Sequence, residues 1–292
     1  MIDISPEQAR TLAAIITHGS FDAAAAHLSV TPSAVSQRIR ALEAAVGRPV
    51  LSRARPAGLT ESGQAVVRFA RQLELLSADL AEELQPDEPQ GRTRLTLVIN
   101  SDSLHTWALA GLAAAGDAVQ LEILREDQEH SLDLLRAGAA AAAITATAKP
   151  AAGCISRRLG VMRYLPVCTP AFAAAWFGRG AAEEGLATAP VIVFDRKDDL
   201  QDRYLRRFSR NLQPPRHYVP AAHEFGEAIR LGMGWGMMPE IEIGEDLGSG
   251  TLETLAPHGP VDVTLYWQQW RRGSAALAGV AGAVQAAARV LR

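Results

Sequence analysis

Residues Thr31 to Val46 permit few folds. In TPSAVSQRIRALEAAV, Val35, Ile39, Leu42 and Val46 recur at i, i+4, i+7 and i+11, which is one stripe of an α-helix. Ser33, Ser36, Gln37 and Arg40 recur at i, i+3, i+4 and i+7 on the opposite side. Such a helix must lay its stripe on neighbours, and the preceding sequence supplies two. Ser5 caps and Pro6 opens a first helix with Ala9, Leu12, Ala13 and Ile16 at helical spacing, and Gly19 closes it. Ser20 caps a short second helix that turns Phe21, Ala24, Ala25 and Leu28 inward, and Thr31-Pro32 restarts the pattern. Two short helices, a tight turn and a third helix with a small polar outer face make a helix-turn-helix. The serines let the backbone approach a base edge. Gln37 can pair with adenine in two places, and Arg40 with guanine or phosphate. Thr31 and Pro32, at the helix start, suit a phosphate. Any one of these residues alone is better explained as a solvated face; spacing, caps and turn together favour a groove-reading surface.

The stretch GRPVLSRARPAGLTESGQ follows. Gly47 ends the third helix, Val50-Leu51 reads as a short strand, and Arg53 and Arg55 precede a Pro-Ala-Gly turn. This predicts a two-stranded wing whose Arg53 approaches phosphate or a minor groove. Thr60 then caps a helix that no proline interrupts from Glu61 to about Leu84. Val66, Phe69, Leu73, Leu76, Leu80 and Leu84 step along it by three or four residues, close to a coiled-coil seam. A second copy of the chain is the simplest partner for that seam, which would place two reading helices on two half-sites. Gln85 to Gly91, with two prolines and two acids, reads as a hinge.

Charge follows the same division. Residues 1–72 hold eight Arg against five acids, residues 73–90 hold six acids and no base, and the rest carries 21 of each sign. A mildly basic head before an acidic spacer fits a module that meets phosphate. Arg is abundant throughout, with Lys149 and Lys197 the only lysines, so Arg content alone means little. The 292 residues suffice for more than one domain. No apolar run is long enough to span a bilayer, and MIDISPEQAR is not a signal peptide, so a cytoplasmic protein is expected. Cys154 and Cys168 have neither metal-ligand spacing nor a disulfide framework.

Beyond Arg92 strands and helices alternate: RLTLVIN, DSLHTWALAGLAAAG, VQLEILRED, HSLDLLRAG and AAAAITATA, then RYLPVC, a helix from Pro170 to Phe177, APVIVFD, a helix from Asp199 to Arg210, RHYVP, EFGEAIRLG, WGMMP and TLETLA. The chain returns through VDVTLYWQQW to a last helix from Ser274. This α/β pattern argues a parallel sheet and a two-lobed body with ligand in a cleft. Ligand groups then belong at strand C-termini and helix N-termini. Ser101 and Ser103, with free N–H groups of the helix start, can hold a carboxylate. Asp102 can cap that helix or accept an ammonium group. Glu126 and Asp127 at one strand end, and Asp195, Asp198 and Asp199 in FDRKDD after another, can receive cations. Hydroxyls at one point and acids nearby suit a basic amino acid such as lysine or arginine. Taken singly, each acid is better explained as a cap or a loop residue, and Trp107 reads as core.

An enzyme with an appended DNA-binding head is the alternative. Its motifs are poor. GMGWG mimics a dinucleotide loop but follows a helix and precedes a strand, the reverse of the required order. G-x-S-x-G, HExxH and P-loop patterns are absent, the seven histidines are scattered, and no cofactor or metal motif occurs. A non-enzymatic role is expected.

The segments AAAAHLSVTPSAVSQRIRALE, VGRPVLSR and LTESGQ resemble, in order and spacing, the winged helix-turn-helix of LysR-type transcriptional regulators, which usually have Phe where Ser52 stands. The resemblance implies a winged helix-turn-helix over 1–60, a dimerisation helix and hinge over 61–91, and a periplasmic-binding-protein-like effector domain over 92–292. One lobe would take 92–161 and 266–292, the other 162–265. VINSDSLHTW, ILREDQE and LYWQQW further resemble the LysG/ArgP branch, which senses lysine and arginine and controls a basic-amino-acid exporter; that branch commonly has alanine where Ser101 and His105 stand. It implies an activator that binds double-stranded promoter DNA as a dimer or tetramer, answers to a small effector and works with RNA polymerase. A regulator of this family with a non-amino-acid effector is the remaining alternative.

Overall fold

The computed structural model describes residues 3–52, 58–85, 91–116, 119–125, 128–178, 182–255 and 259–292. The chain forms two compact units. The first holds Met1–Ile99, Ala114–Arg157 and Trp267–Ala283; the second holds Asn100–Ala113, Arg158–Tyr266 and Val284–Arg292.

The first unit opens with α1 (Pro6–His18), α2 (Phe21–His27), α3 (Pro32–Val46) and α4 (Glu61–Leu84). Local chemistry fixes each boundary. Ser5 Oγ accepts from Gln8 N–H while Gln8 Oε1 accepts from Ser5 N–H, a reciprocal capping box. Ser20 and Thr31 cap α2 and α3, and Gly19 and Gly47 adopt φ of 80° and 75° at the ends of α1 and α3. Leu12, Val35, Leu42 and Val67 meet in one core that closes the three-helix head against the first turns of α4. In the wing, Leu51 bridges Leu59 antiparallel, and Ser52 Oγ accepts from Gly58 N–H at 3.1 Å, so the hydroxyl helps close the hairpin base. Gly63 lies so near the Val50 carbonyl that a Cβ would overlap it, which seats α4 on the wing base.

Along α4, Val66, Val67 and Ala70 are buried, whereas Leu76, Leu80 and Leu84 are exposed. Arg71 donates to Gly138 O at 2.8 Å and reaches Thr17 Oγ1 of α1 at 3.4 Å. Arg68 donates to Arg136 O at 2.8 Å. Asp79 accepts from Ala275 N–H at 2.9 Å. Cations thus meet carbonyls beyond one helix, and an acid meets the start of another.

In the same unit β1 (Thr93–Val98) pairs in parallel with β2 (Val119–Leu124) and β3 (Ala142–Thr145). α7 (Gln128–Arg136) precedes β3. Buried Gln268 donates to Thr147 O and Lys149 O and accepts from Ala151 N–H, pinning the segment after β3. Two long strands, β4 (Cys154–Cys168) and β9 (Val261–Trp270), run from one unit into the other, and α13 (Ala275–Ala287) does the same before a 3-10 turn, Ala288–Val290.

The second unit begins with a helical segment after β1: α5 (Ser101–Ser103), a π-helical turn (Leu104–Ala108) and α6 (Leu109–Ala113). It continues through α8 (Pro170–Trp176), α9 (Ala182–Thr188), β5 (Val191–Val193), α10 (Leu200–Leu205), β6 (Arg216–Tyr218), α11 (Ala222–Arg230), β7 (Gly236–Pro239), α12 (Gly244–Ser249) and β8 (Glu253–Thr254). β5 and β6 are parallel, but β4 pairs antiparallel with β7 and β8. The alternation of strand and helix predicts a parallel sheet; the pairing is mixed, because β4 is a long return strand rather than a step in a strand–helix series. β4 begins at Cys154, well before RYLPVC, as Arg157, Arg158 and Gly160 interrupt its apolar pattern. The helix expected to reach Arg210 ends at Leu205, where N–H groups of Arg207 and Phe208 bond three residues back. Val167, Ile192, Phe225, Ile229 and Met238 form the unit's core. Among the described residues no helix is long and apolar enough to cross a membrane.

Candidate DNA-reading face and small-molecule site

On α3 the structure separates the two faces that the spacing predicts. Val35, Ile39 and Leu42 are buried, while Thr31, Pro32, Ser33, Gln37 and Arg40 are exposed and Ser36 is half-buried. Thr31 Oγ1 accepts from Ala34 N–H at 3.2 Å and lies 2.9 Å from Ser33 Oγ. The neighbouring Arg38 pairs with Glu7 of α1 at 3.1 Å, which removes it from the outward set and leaves Arg40 as the outward cation of the helix. Arg53 lies outside the described residues.

Asp102, Ser101, Ser103 and Asp195 all fall in the second unit, whereas Glu126 and Asp127 lie outside the described residues. Asp102 does not cap its helix. Asn100 holds the N-cap position and makes no side-chain capping bond. Asp102 Oδ2 instead accepts a 2.6 Å hydrogen bond from the Tyr164 hydroxyl, sixty-two residues along the chain on β4. Ser103 is buried, and its hydroxyl and Asn100 Oδ1 have no partner among the described residues. Such atoms are costly unless something supplies hydrogen bonds. They precede a π-helical turn, a distortion that recurs at functional sites. Ser101 is half-buried beside them. Trp107, expected in the core, is buried.

Asp195 commits one carboxylate oxygen to its own loop, accepting from the N–H groups of Lys197 and Asp198 at 2.7 and 3.0 Å. That turn orients Asp198, which accepts from Phe194 and Leu200 N–H. Glu242 lies 3.6 Å from His105 Nε2 and 3.8 Å from Arg230, whose guanidinium is chiefly engaged by Asp246 and Glu227.

Three of these acids share one electrostatic neighbourhood. Burial pushes the Asp102 carboxyl above the usual carboxylate range; the Tyr164 bond pulls it down, the Asp198 charge adds to the rise and His105 opposes it. Burial likewise raises Asp198, against its backbone hydrogen bonds. Glu242 is raised by burial, relieved by His105 and Arg230, and raised again by Asp102 and Asp246. Tyr164 is pushed well up by burial and then by Asp102, which keeps its proton on the hydroxyl. A shielded group of acids with His105 as the nearby base is complementary to a cation.

Tyr164 and Glu242 carry no signal in the sequence: one is an inward residue of a strand, the other one acid of IEIGED. Asp198 stands within FDRKDD, but only the fold distinguishes it from Asp195.

Comparison with known proteins extends the geometry. Residues 6–64 match the model of the bacterial regulatory helix-turn-helix protein, lysR family, and residues 86–291 match the LysR substrate binding domain. The lysine export transcriptional regulatory protein LysG of Corynebacterium efficiens is 44% identical, covering 98% of both chains. The crystal structure of ArgP from Mycobacterium tuberculosis superposes with a TM-score of 0.91 at 40% identity, covering 97% of both chains. Full-length LysG from Corynebacterium glutamicum with bound effector Arg gives 0.86 at 39% identity over 99% of both. A capped three-helix head with an exposed polar reading helix, a linker helix and a substrate-binding body thus agree with both family matches: the chain belongs to the LysR family of bacterial DNA-binding transcriptional regulators.

Proposed function

We propose that this regulator reads promoter DNA through α3 and controls basic-amino-acid export in response to arginine or lysine held in the second unit. The observation that carries the effector assignment is the group of Asp102, Asp198 and Glu242 around the Tyr164 hydroxyl: burial raises all three, the Asp198 charge adds to Asp102, and the Asp102 charge adds to Glu242. A guanidinium or ammonium group relieves that repulsion and offers donors in several directions. The ligand's α-carboxylate takes donors from Ser101 and Ser103 at the helix start, and Asp195 acts through the turn that sets Asp198. Glu126 and Asp127 are the further effector-binding candidates that the sequence offers. The relative with bound effector Arg supports this reading.

At the DNA, Gln37 and Ser36 make base contacts, Arg40 reads guanine or phosphate, and Thr31, Pro32 and Ser33 hold phosphate at the start of α3. Arg53 in the wing contributes a sequence-independent contact. The exposed Leu76, Leu80 and Leu84 of α4 meet their counterparts in a second copy, so two heads address two half-sites.

Titration calorimetry with arginine, lysine and the uncharged isostere citrulline tests the effector assignment. Saturable binding of either cation and none of citrulline is expected. Equal binding of citrulline would overturn the role of the acids.

A further inference from the structure

The second unit has a cavity of about 440 Å³ whose chemistry is the opposite of the acid cluster. Its walls include Asp202, Arg206, Arg210, Arg216 and Tyr218, over the buried Leu205. The sequence RYLRRFSR supplies most of the charge, and the fold sorts its arginines into two sets. Arg203 donates to Asp262 O at 3.3 Å, and Arg207 to Gly259 O and Pro260 O at 3.1 and 2.9 Å, so both brace the entry to β9. Arg206 and Arg210, four residues apart, instead line the cavity.

Among the described residues the cavity's one carboxylate, Asp202, is occupied on both oxygens by the guanidinium of Arg216. Arg206 makes one long contact, 3.5 Å, with exposed Asp199. Arg210 has no hydrogen bond or ion pair among the described residues. Three guanidinium groups therefore converge where one acid is already neutralised. Along one wall Tyr218 is 43% exposed, with the Arg196 guanidinium over its ring, 5.1 Å from the centroid. The cavity is an open, mostly polar concavity in which exposed Arg206 and Arg210 stand beside buried Leu205 and the Tyr218 ring.

We infer that this cavity is a second small-molecule site, distinct from the acid cluster, which takes a phosphate monoester: Arg206 and Arg210 hold the phosphate, and the Tyr218 ring lies against the organic part. Guanidinium forks match phosphate oxygens in pairs, and a dianion balances the excess positive charge. The Arg216–Asp202 pair fixes one fork in place without adding net charge.

Calorimetry on the full chain at constant ionic strength, with inorganic phosphate and phenyl phosphate as probes, tests this. Saturable binding is expected, tighter for phenyl phosphate. Arg206→Gln and Arg210→Gln should each weaken it by about tenfold or more, and Asp102→Asn should leave it unchanged. The DNA-reading head also attracts anions, so binding that both arginine variants leave intact overturns the proposal, as does the absence of saturable binding. Melting without phosphate is the second measurement. Arg210→Gln removes a like charge and should melt at the parent's temperature or higher; a lower melting point would make Arg210 a structural brace and end the argument.

Discussion

The head and the acid cluster place polar chemistry in opposite ways. On α3 the outward polar residues are close together in one helix and exposed, save half-buried Ser36. In the second unit Asp102, Tyr164, Asp198 and Glu242 come from four distant segments, and burial raises the acids. The head is stable because its apolar face is complete without a ligand. The acid cluster holds electrostatic repulsion that a cation relieves. On the proposed function, one region reads DNA without needing a ligand to fold, and at the other ligand binding would change the protein's own stability, as a regulated switch requires.

The strongest attack on this contrast is to remove the head's core. Leu42 is fully buried on the inner face of α3, so Leu42→Ala should cost about 2–5 kcal/mol. DNA binding should fail in gel-shift titrations while the calorimetric affinity for arginine stays near the parent's. Loss of arginine binding as well would show that the two regions do not behave separately.

Asp102→Asn attacks the other side. It should weaken arginine by about 2 kcal/mol or more, roughly thirtyfold, while operator affinity without effector is unchanged. Its pH dependence sharpens the point. A carboxyl whose folded value is raised binds its proton more tightly when folded, so it opposes folding only once deprotonated. Its destabilisation is absent below the ordinary carboxylate value and complete above the raised one. In urea titrations without ligand, the stability of Asp102→Asn relative to the parent should therefore rise with pH across that window. A constant difference would mean that Asp102 is not under electrostatic strain.

Gln37→Ala comes next in size. A lost two-point base contact is worth about 1–3 kcal/mol of discrimination. Competition between the operator and bulk DNA should show preference falling while affinity for bulk DNA holds. Unchanged preference would move the reading face elsewhere on α3.

These contrasts also explain what the sequence makes legible. The head is readable because its determinants are local: caps at Ser5, Ser20 and Thr31, glycines at 19 and 47, and a stripe within one helix. α4 matches the proline-free run from Glu61 to Leu84 for the same reason. Asp102 stands out because it follows a strand, but its role does not, since Tyr164 lies on a strand whose pairing only the fold establishes. The helix expected over 199–210 stops short of its C-terminal half, where Arg207 bonds to carbonyls more than fifty residues away. Locally encoded elements are legible, and sites assembled across a mixed sheet are not.

The smallest expected effect separates folding from recognition inside the head itself. Ser20 and Thr31 play the same structural role, since each side-chain oxygen accepts an N–H in the first turn of its helix, at 3.1 and 3.2 Å. Replacing either by alanine should cost about 1 kcal/mol of stability, read as equal shifts in the urea midpoint. Only Thr31 starts the reading helix, so only Thr31→Ala should also lose a phosphate contact. At temperatures where both variants are folded, Ser20→Ala should bind DNA like the parent. Thr31→Ala should bind operator and bulk DNA more weakly by similar factors, with the salt slope lowered by about one phosphate contact. If the two variants bind DNA identically, Thr31 is a cap and nothing more, and the phosphate at the head of α3 must be held by backbone N–H groups alone.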